Sequence, residues 1–110
     1  RRTIDDALHC HFITFSVQHR RRLLDHDHPK RIAFGVLNFV LQKHAAKCVG
    51  FVLMPEHIHA LIWFPETSQL RPFMQEWKRP SSLRIRQWYR REAPHRVAKL
   101  EISDTFWQPK

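Results

Sequence analysis

The chain has 110 residues and a mass of 13.4 kDa, enough for one domain with one modest core and no room for a second. Hydrophobic residues at 43% and only 2 glycines exclude wholesale disorder, and no apolar run reaches the about 18 residues that a membrane-spanning helix needs. Nineteen Lys and Arg against ten Asp and Glu give a formal charge of +9, a field that draws polyanions, nucleic acid first among them.

In chain order, the opening Arg1-Arg2-Thr3 leads into acidic Asp5 and Asp6 rather than the apolar block of a signal peptide. Residues 10–19 follow a period of two, with Phe12, Thr14, Ser16 and Gln18 alternating against His11, Ile13, Phe15 and Val17, which predicts a strand. A charged turn through Arg20, Arg21, Arg22 and Asp25 precedes Pro29, whose missing N–H suits the first turn of a helix. A helix is predicted at 29–46, its apolar stripe formed by Ile32, Val36, Phe39 and Val40, continued by Lys43 and widened by Ala33 and Leu37.

Residues 48–53 and 57–64 then read as two strands joined tightly through Met54, Pro55 and Glu56, an antiparallel hairpin. Thr67 or Ser68 can cap a second helix with Pro72 in its first turn, and Leu70, Phe73, Met74 and Trp77 keep helical spacing. Pro80 removes a backbone donor, so this helix is expected to kink or restart there, with Ser81 or Ser82 as the new cap. Pro94 stops it, and 97–102 suggests a further short strand. The resulting β-α-β-β-α order predicts an α+β, ferredoxin-like split β-α-β fold: an antiparallel sheet with two helices on one face, spanning residues 1–110 as a single domain.

His57 and His59 lie two apart on the predicted third strand, so both imidazoles project from one face while Ile58 points to the other. Such convergence suits a divalent metal, and two solvent-facing histidines fit the same pattern. Glu56 adjoins the pair and offers carboxylate oxygen as a third ligand; Pro55 leaves its direction open, strand positions 56 and 58 would point away from 57 and 59, and a solvent-exposed loop carboxylate is the plainer reading. On the second helix Lys78, Arg79, Arg84, Arg86, Arg90 and Arg91 are interleaved with Trp77, Trp88 and Tyr89, with few acids nearby. Guanidinium groups grip phosphates and aromatic rings stack on unpaired bases, and a solvated helical face backed by core aromatics is the plainer reading. Cys10 and Cys48 cannot build a disulfide framework and suit a cytoplasmic protein; with nearby histidines they also leave room for structural zinc.

The run from Gly50 to Ile62, with Met54-Pro55-Glu56-His57-Ile58-His59 at its centre, resembles the signature of the IS200-like transposases, including the REP-associated tyrosine transposases. Thr14, the Lys78, Ser81 and Ser82 segment, and Phe106-Trp107-Gln108 extend the resemblance from about residue 10 to the end. It implies a single-strand endonuclease of the histidine–hydrophobic–histidine (HUH) type, in which His57 and His59 hold Mg²⁺ or Mn²⁺ against a scissile phosphate of single-stranded or hairpin DNA. A tyrosine then attacks, forming a 5′-phosphotyrosine that conserves the phosphodiester energy for strand transfer in DNA transposition and recombination. It also implies homodimers, and neither a membrane nor a small-molecule substrate.

The family's tyrosine lies on a helix after a strand that the Phe106-Trp107-Gln108 segment introduces, and neither fits before Lys110. Tyr89, the only tyrosine, is the one catalytic candidate present, although its place in the sequence is upstream of where the family carries the nucleophile. The expectation is therefore a DNA-processing domain carrying the metal-binding half of a site. The alternative is a catalytically inactive, nucleic-acid-binding remnant of the same fold.

Overall fold

The computed structural model describes residues 10–95 and 106–108. Its elements are β1 (Cys10–Ser16), a 3-10 turn (Gln18–Arg20), α1 (Asp27–Lys43), β2 (Lys47–Leu53), β3 (His57–Trp63) and α2 (Leu70–Glu92). The strands are antiparallel in the spatial order β1-β3-β2, so the strand bearing His57 and His59 is the central one. This is the α+β arrangement that the element order implies.

Strand alternation sorts the side chains by face. Ile13 and Phe15 on β1, with Ile58, Ala60 and Ile62 on β3, are buried, and the stripes of both helices close over them. Trp77 joins the layers. Its ring meets Phe15 and Phe51 of the sheet, and its indole N–H donates to the Ala33 carbonyl of α1 at 3.1 Å. Each large apolar side chain buried in this way contributes roughly 1.5–3 kcal/mol relative to its exposed state. A register shift between Cys48 and Gly50 pushes Val49 out of the pairing, where it is 64% exposed.

The expected helix at 29–46 runs two residues earlier and ends three earlier. It closes where Ala45 takes a left-handed φ of 53° and the Ala46 N–H reaches back to the Leu41 carbonyl at 2.9 Å. Its buried stripe is Pro29, Ala33, Val36, Leu37 and Val40, whereas Phe39 is 68% exposed. The stripe expected through Phe39 is thus rotated: Phe39 borders the open cavity between α1 and α2 and is not enclosed by either.

The second correction concerns Pro80. The predicted kink or restart does not occur, and α2 runs through the proline as one helix. Buried Ser81, the next residue, bonds back into the adjoining turn: its hydroxyl donates to the Trp77 carbonyl at 2.6 Å, with the Lys78 carbonyl a second acceptor at 3.1 Å. The Trp107 indole N–H adds a bond to the Lys78 carbonyl at 3.0 Å. Side chains therefore serve carbonyls around the turn that proline disturbs.

The expected strand at 97–102 lies outside the described residues. Further on, Phe106 and Trp107 are buried, and Trp107 forms an antiparallel bridge with Val17. The Gln18 N–H donates to the Phe106 carbonyl at 2.8 Å, and the Gln108 N–H to the Ser16 carbonyl at 2.7 Å. Residues 106–108 therefore run along the outer edge of β1 at its end, a pairing that sequence reading did not expect for this segment.

Candidate functional site

Helices cover one face of the sheet, and His57 and His59 stand on the other. In the register they pair with Ser16 and Thr14 of β1, and their rings lie 4.6 Å apart, nearly perpendicular at 88°. Thr14 Oγ1 is 3.0 Å from His59 Nδ1. Glu56 Oε2 is 3.3 Å from His57 Nδ1, an ion-pair distance out of line for a hydrogen bond, and that nitrogen is buried. Among the described residues, neither ring's Nε2 has a partner. Each histidine thus has its Nδ1 beside an oxygen and its Nε2 open.

The direction of Glu56, open in the sequence because it follows Pro55, is set by its place in the turn before β3, where strand alternation does not apply. Backbone bonds hold that turn: Val17 N–H to the Glu56 carbonyl and Leu24 N–H to the Pro55 carbonyl, both 2.9 Å, and Met54 N–H to the His57 carbonyl at 2.8 Å. The carboxylate consequently comes to rest beside the His57 ring.

As a metal site the donors fit in part. Two adjacent imidazoles with open Nε2 atoms suit a divalent cation and supply half of a tetrahedral shell. Among the described residues there is no cluster of three or more His, Cys, Asp or Glu side chains that could complete one. Cys10 and Cys48 lie on the two outer strands, separated by β3, and the Cys48 thiol donates to the Gly50 carbonyl at 3.2 Å. Burial pushes the Cys48 thiol above its ordinary value, and the bond with Gly50 partly offsets this.

Phe12 is the feature that sequence reading passed over. Its ring is 69% exposed and stacks on His59, with centroids 5.7 Å apart and planes 19° from parallel. The period of two had already placed it with Thr14, but only the pairing of β1 with β3 sets it against the imidazole.

Tyr89 occupies a different environment. It is fully buried on the core side of α2, and its hydroxyl donates to the Leu23 carbonyl at 2.7 Å. The helices lie on the face opposite the histidine pair, so the structure does not bring the catalytic candidate Tyr89 to His57 and His59.

The basic residues of α2 divide between flanks. Lys78 and Arg79 border a groove of about 940 Å³ that also takes in Phe12, Thr14, Ser16 and Trp107 along the β1 edge. The Lys78 ammonium lies 5.4 Å from the Phe15 ring centroid. Arg79 also lines, together with Arg84, a cavity of about 550 Å³ between α1 and α2, while Arg86 and Arg90 follow Arg79 along the helix at spacings of seven and four and Arg91 follows Arg84 at seven. Arg86 donates to the Ser82 carbonyl at 3.4 Å, and Arg91 pairs with Glu92 at 3.3 Å. Only the Lys78 and Arg79 end shares a groove with Thr14, the partner of His59. Trp77 is core, and half-buried Trp88 stacks on His28 at 5.4 Å.

An antiparallel sheet backed on one face by two helices, with a histidine pair on the open face of its central strand, defines the class: a ferredoxin-like α+β domain built around a His-x-His strand. The chain belongs to the IS200-like transposase family, whose sequence model, described as "Transposase IS200 like", matches residues 5–110.

Two solved structures share the fold at 18% identity each. A Deinococcus radiodurans protein assigned as a transposase superposes with a TM-score of 0.68, covering 92% of this chain and 72% of its own. A REP-associated tyrosine transposase bound to a REP hairpin superposes with a TM-score of 0.59, again over 92% of this chain but only 52% of its own. The chain thus spans about half the length of that second protein. No curated protein matches it. No helix among the described residues is long and apolar enough to cross a membrane.

Proposed function

We propose that this domain acts in transposase-type DNA processing, binding single-stranded or hairpin DNA across the open sheet face and the β1 edge, with a divalent cation, Mg²⁺ or Mn²⁺, at His57 and His59. The observation that carries this reading is the pair of adjacent imidazoles on the central strand, each with Nδ1 beside an oxygen and Nε2 open. When bound, such a cation supplies Lewis-acid polarisation of a phosphate oxygen. The protein's own groups then have separable tasks. His57 and His59 hold the cation, Lys78 and Arg79 attract the phosphates of a strand following the groove, and the exposed Phe12 ring gives an unpaired base a surface to stack on. The hairpin-bound neighbour supports DNA as the partner.

In this proposal Tyr89 is a core residue and not the attacking group, because its hydroxyl is buried and already donates to Leu23. Dimerisation belongs to the proposal as well, since the resemblance to the family implies it.

Labelled hairpin DNA, with and without Mn²⁺, tests the reading. The hairpin is expected to bind more tightly than a duplex of equal length. His57→Ala is expected to abolish Mn²⁺-dependent strand cleavage while leaving hairpin affinity intact. Equal cleavage by the variant sinks the metal role, and equal affinity for the duplex sinks the single-strand preference. Binding without cleavage under any divalent cation identifies the inactive remnant.

A further inference from the structure

Among the described residues Glu56 is the one acid in contact with the histidine pair, and its position is more specific than proximity alone. Its carboxylate oxygen lies 3.3 Å from Nδ1 of His57, the nitrogen on the far side of the ring from the open Nε2. That Nδ1 is buried with no hydrogen-bond partner in good geometry. An ionised carboxylate can only accept. Two lone pairs this close to one another would repel, whereas an N–H on Nδ1 would bring its positive end near the acid, although out of line with it. In a neutral imidazole a proton on Nδ1 leaves the lone pair on Nε2.

We infer that Glu56 is a positioning residue: it holds His57 in the Nδ1–H tautomer, so that Nε2 is the donor presented on the open face, and it is not itself a ligand. The inference rests on the reading of His57 and His59 as cation ligands only for its purpose, not for the proton arrangement. The main chain that carries the acid is held in place, because the turn is bonded to Val17 and Leu24. Thr14 performs the complementary task at His59, where its hydroxyl, 3.0 Å from Nδ1, keeps that nitrogen occupied and the ring oriented. A hydroxyl both donates and accepts, so Thr14 orients the ring without selecting a tautomer. Carboxylates behind metal-binding histidines in general raise affinity in this way.

The experiment reads the imidazole nitrogens directly. Nitrogen-15 NMR of the metal-free chain, under alkaline conditions where imidazole is neutral, is expected to show His57 protonated on Nδ1. Glu56→Gln is expected to keep that tautomer, since its amide oxygen still accepts, and Glu56→Ala to lose it. Mn²⁺ is then added as the probe. Paramagnetic broadening of the His57 and His59 ring signals is expected in the starting protein and in Glu56→Gln at similar concentrations, and to need about tenfold more Mn²⁺ in Glu56→Ala. A His57 protonated on Nε2 in the starting protein overturns the inference. So does a Glu56→Gln variant that needs as much Mn²⁺ as Glu56→Ala, the pattern of a lost ligand. Absence of broadening in the starting protein, with the Nδ1–H tautomer present, removes the cation reading and leaves the proton arrangement standing.

Discussion

The hydroxyl of Tyr89, near the end of α2, donates to the backbone carbonyl of Leu23 at 2.7 Å, tying the turn between β1 and α1 to the second helix. Both residues are fully buried, so the carbonyl has no water to turn to if the donor is lost.

Tyr89→Phe keeps the ring and removes the donor. It is expected to cost about 1–3 kcal/mol, the penalty of an unsatisfied buried acceptor. The shift in urea midpoint at constant slope measures it. Hairpin binding by the variant should remain at the starting level, and a large loss of DNA affinity in a folded variant would return Tyr89 to the site.

Ser81 supports the passage of α2 through Pro80. Ser81→Ala withdraws the donor from the Trp77 carbonyl and the acceptor, 3.3 Å away, from the Trp107 indole N–H. A loss of about 1–3 kcal/mol is expected, read by denaturant unfolding. Restoring Pro80 to a residue with a backbone N–H, as Pro80→Ala in the Ser81→Ala background, should recover part of it. No recovery would show that the hydroxyl serves something other than the proline turn.

Acid sensitivity should trace to Glu76. The His44 imidazole bonds its carboxylate at 2.9 Å and, with Lys43 at 3.3 Å, holds it below its ordinary value. A depressed folded-state value means that the unfolded chain binds the proton first. The contribution is therefore complete above the ordinary carboxylate value and disappears as pH falls through the lower folded one. Glu76 is about a third exposed, so solvent screens the effect and it should be small. Urea midpoints followed down the acid limb should fall less steeply in Glu76→Gln; parallel curves would exclude this group.

The division of the basic residues predicts unequal salt dependence. Lys78→Gln with Arg79→Gln, the pair that borders the β1 groove, should reduce the slope of log affinity against log salt for single-stranded DNA by about 1.4, or about 0.7 per phosphate contact. Arg84→Gln with Arg91→Gln should reduce it less, because neither borders the β1 groove and Arg91 already pairs with Glu92. Anisotropy titrations at several salt concentrations decide it, and equal reductions would argue against a one-sided path.

Much of the fold was legible where the signal is local. The period of two through Phe12–Val17 and the i, i+2 spacing of His57 and His59 set faces by backbone geometry alone, and the β-α-β-β-α order leaves few layouts for one small core. Legibility failed where a partner came from elsewhere in the chain. Pro80 read as a break because its compensation includes Trp107, which donates to Lys78 across 29 positions. Phe39 read as core because helical spacing gives the width of an apolar stripe but not the direction from which a neighbour packs. The direction of Glu56 could not be read because, after Pro55, it sits in a turn where strand alternation gives no face.

The sequence by itself determined that both imidazoles share a face, that the surface is strongly basic, and which family motif surrounds them. These follow from side-chain chemistry and from a strand's fixed alternation. Only the tertiary structure decided that this face lies opposite the helices, that Thr14 and Glu56 stand behind the two rings, that Phe12 stacks on His59, and that Tyr89 is spent inside the core. Each of those depends on which strand pairs with which and on where α2 lies. Such choices are made by burying one common apolar surface, and no local run of residues encodes them.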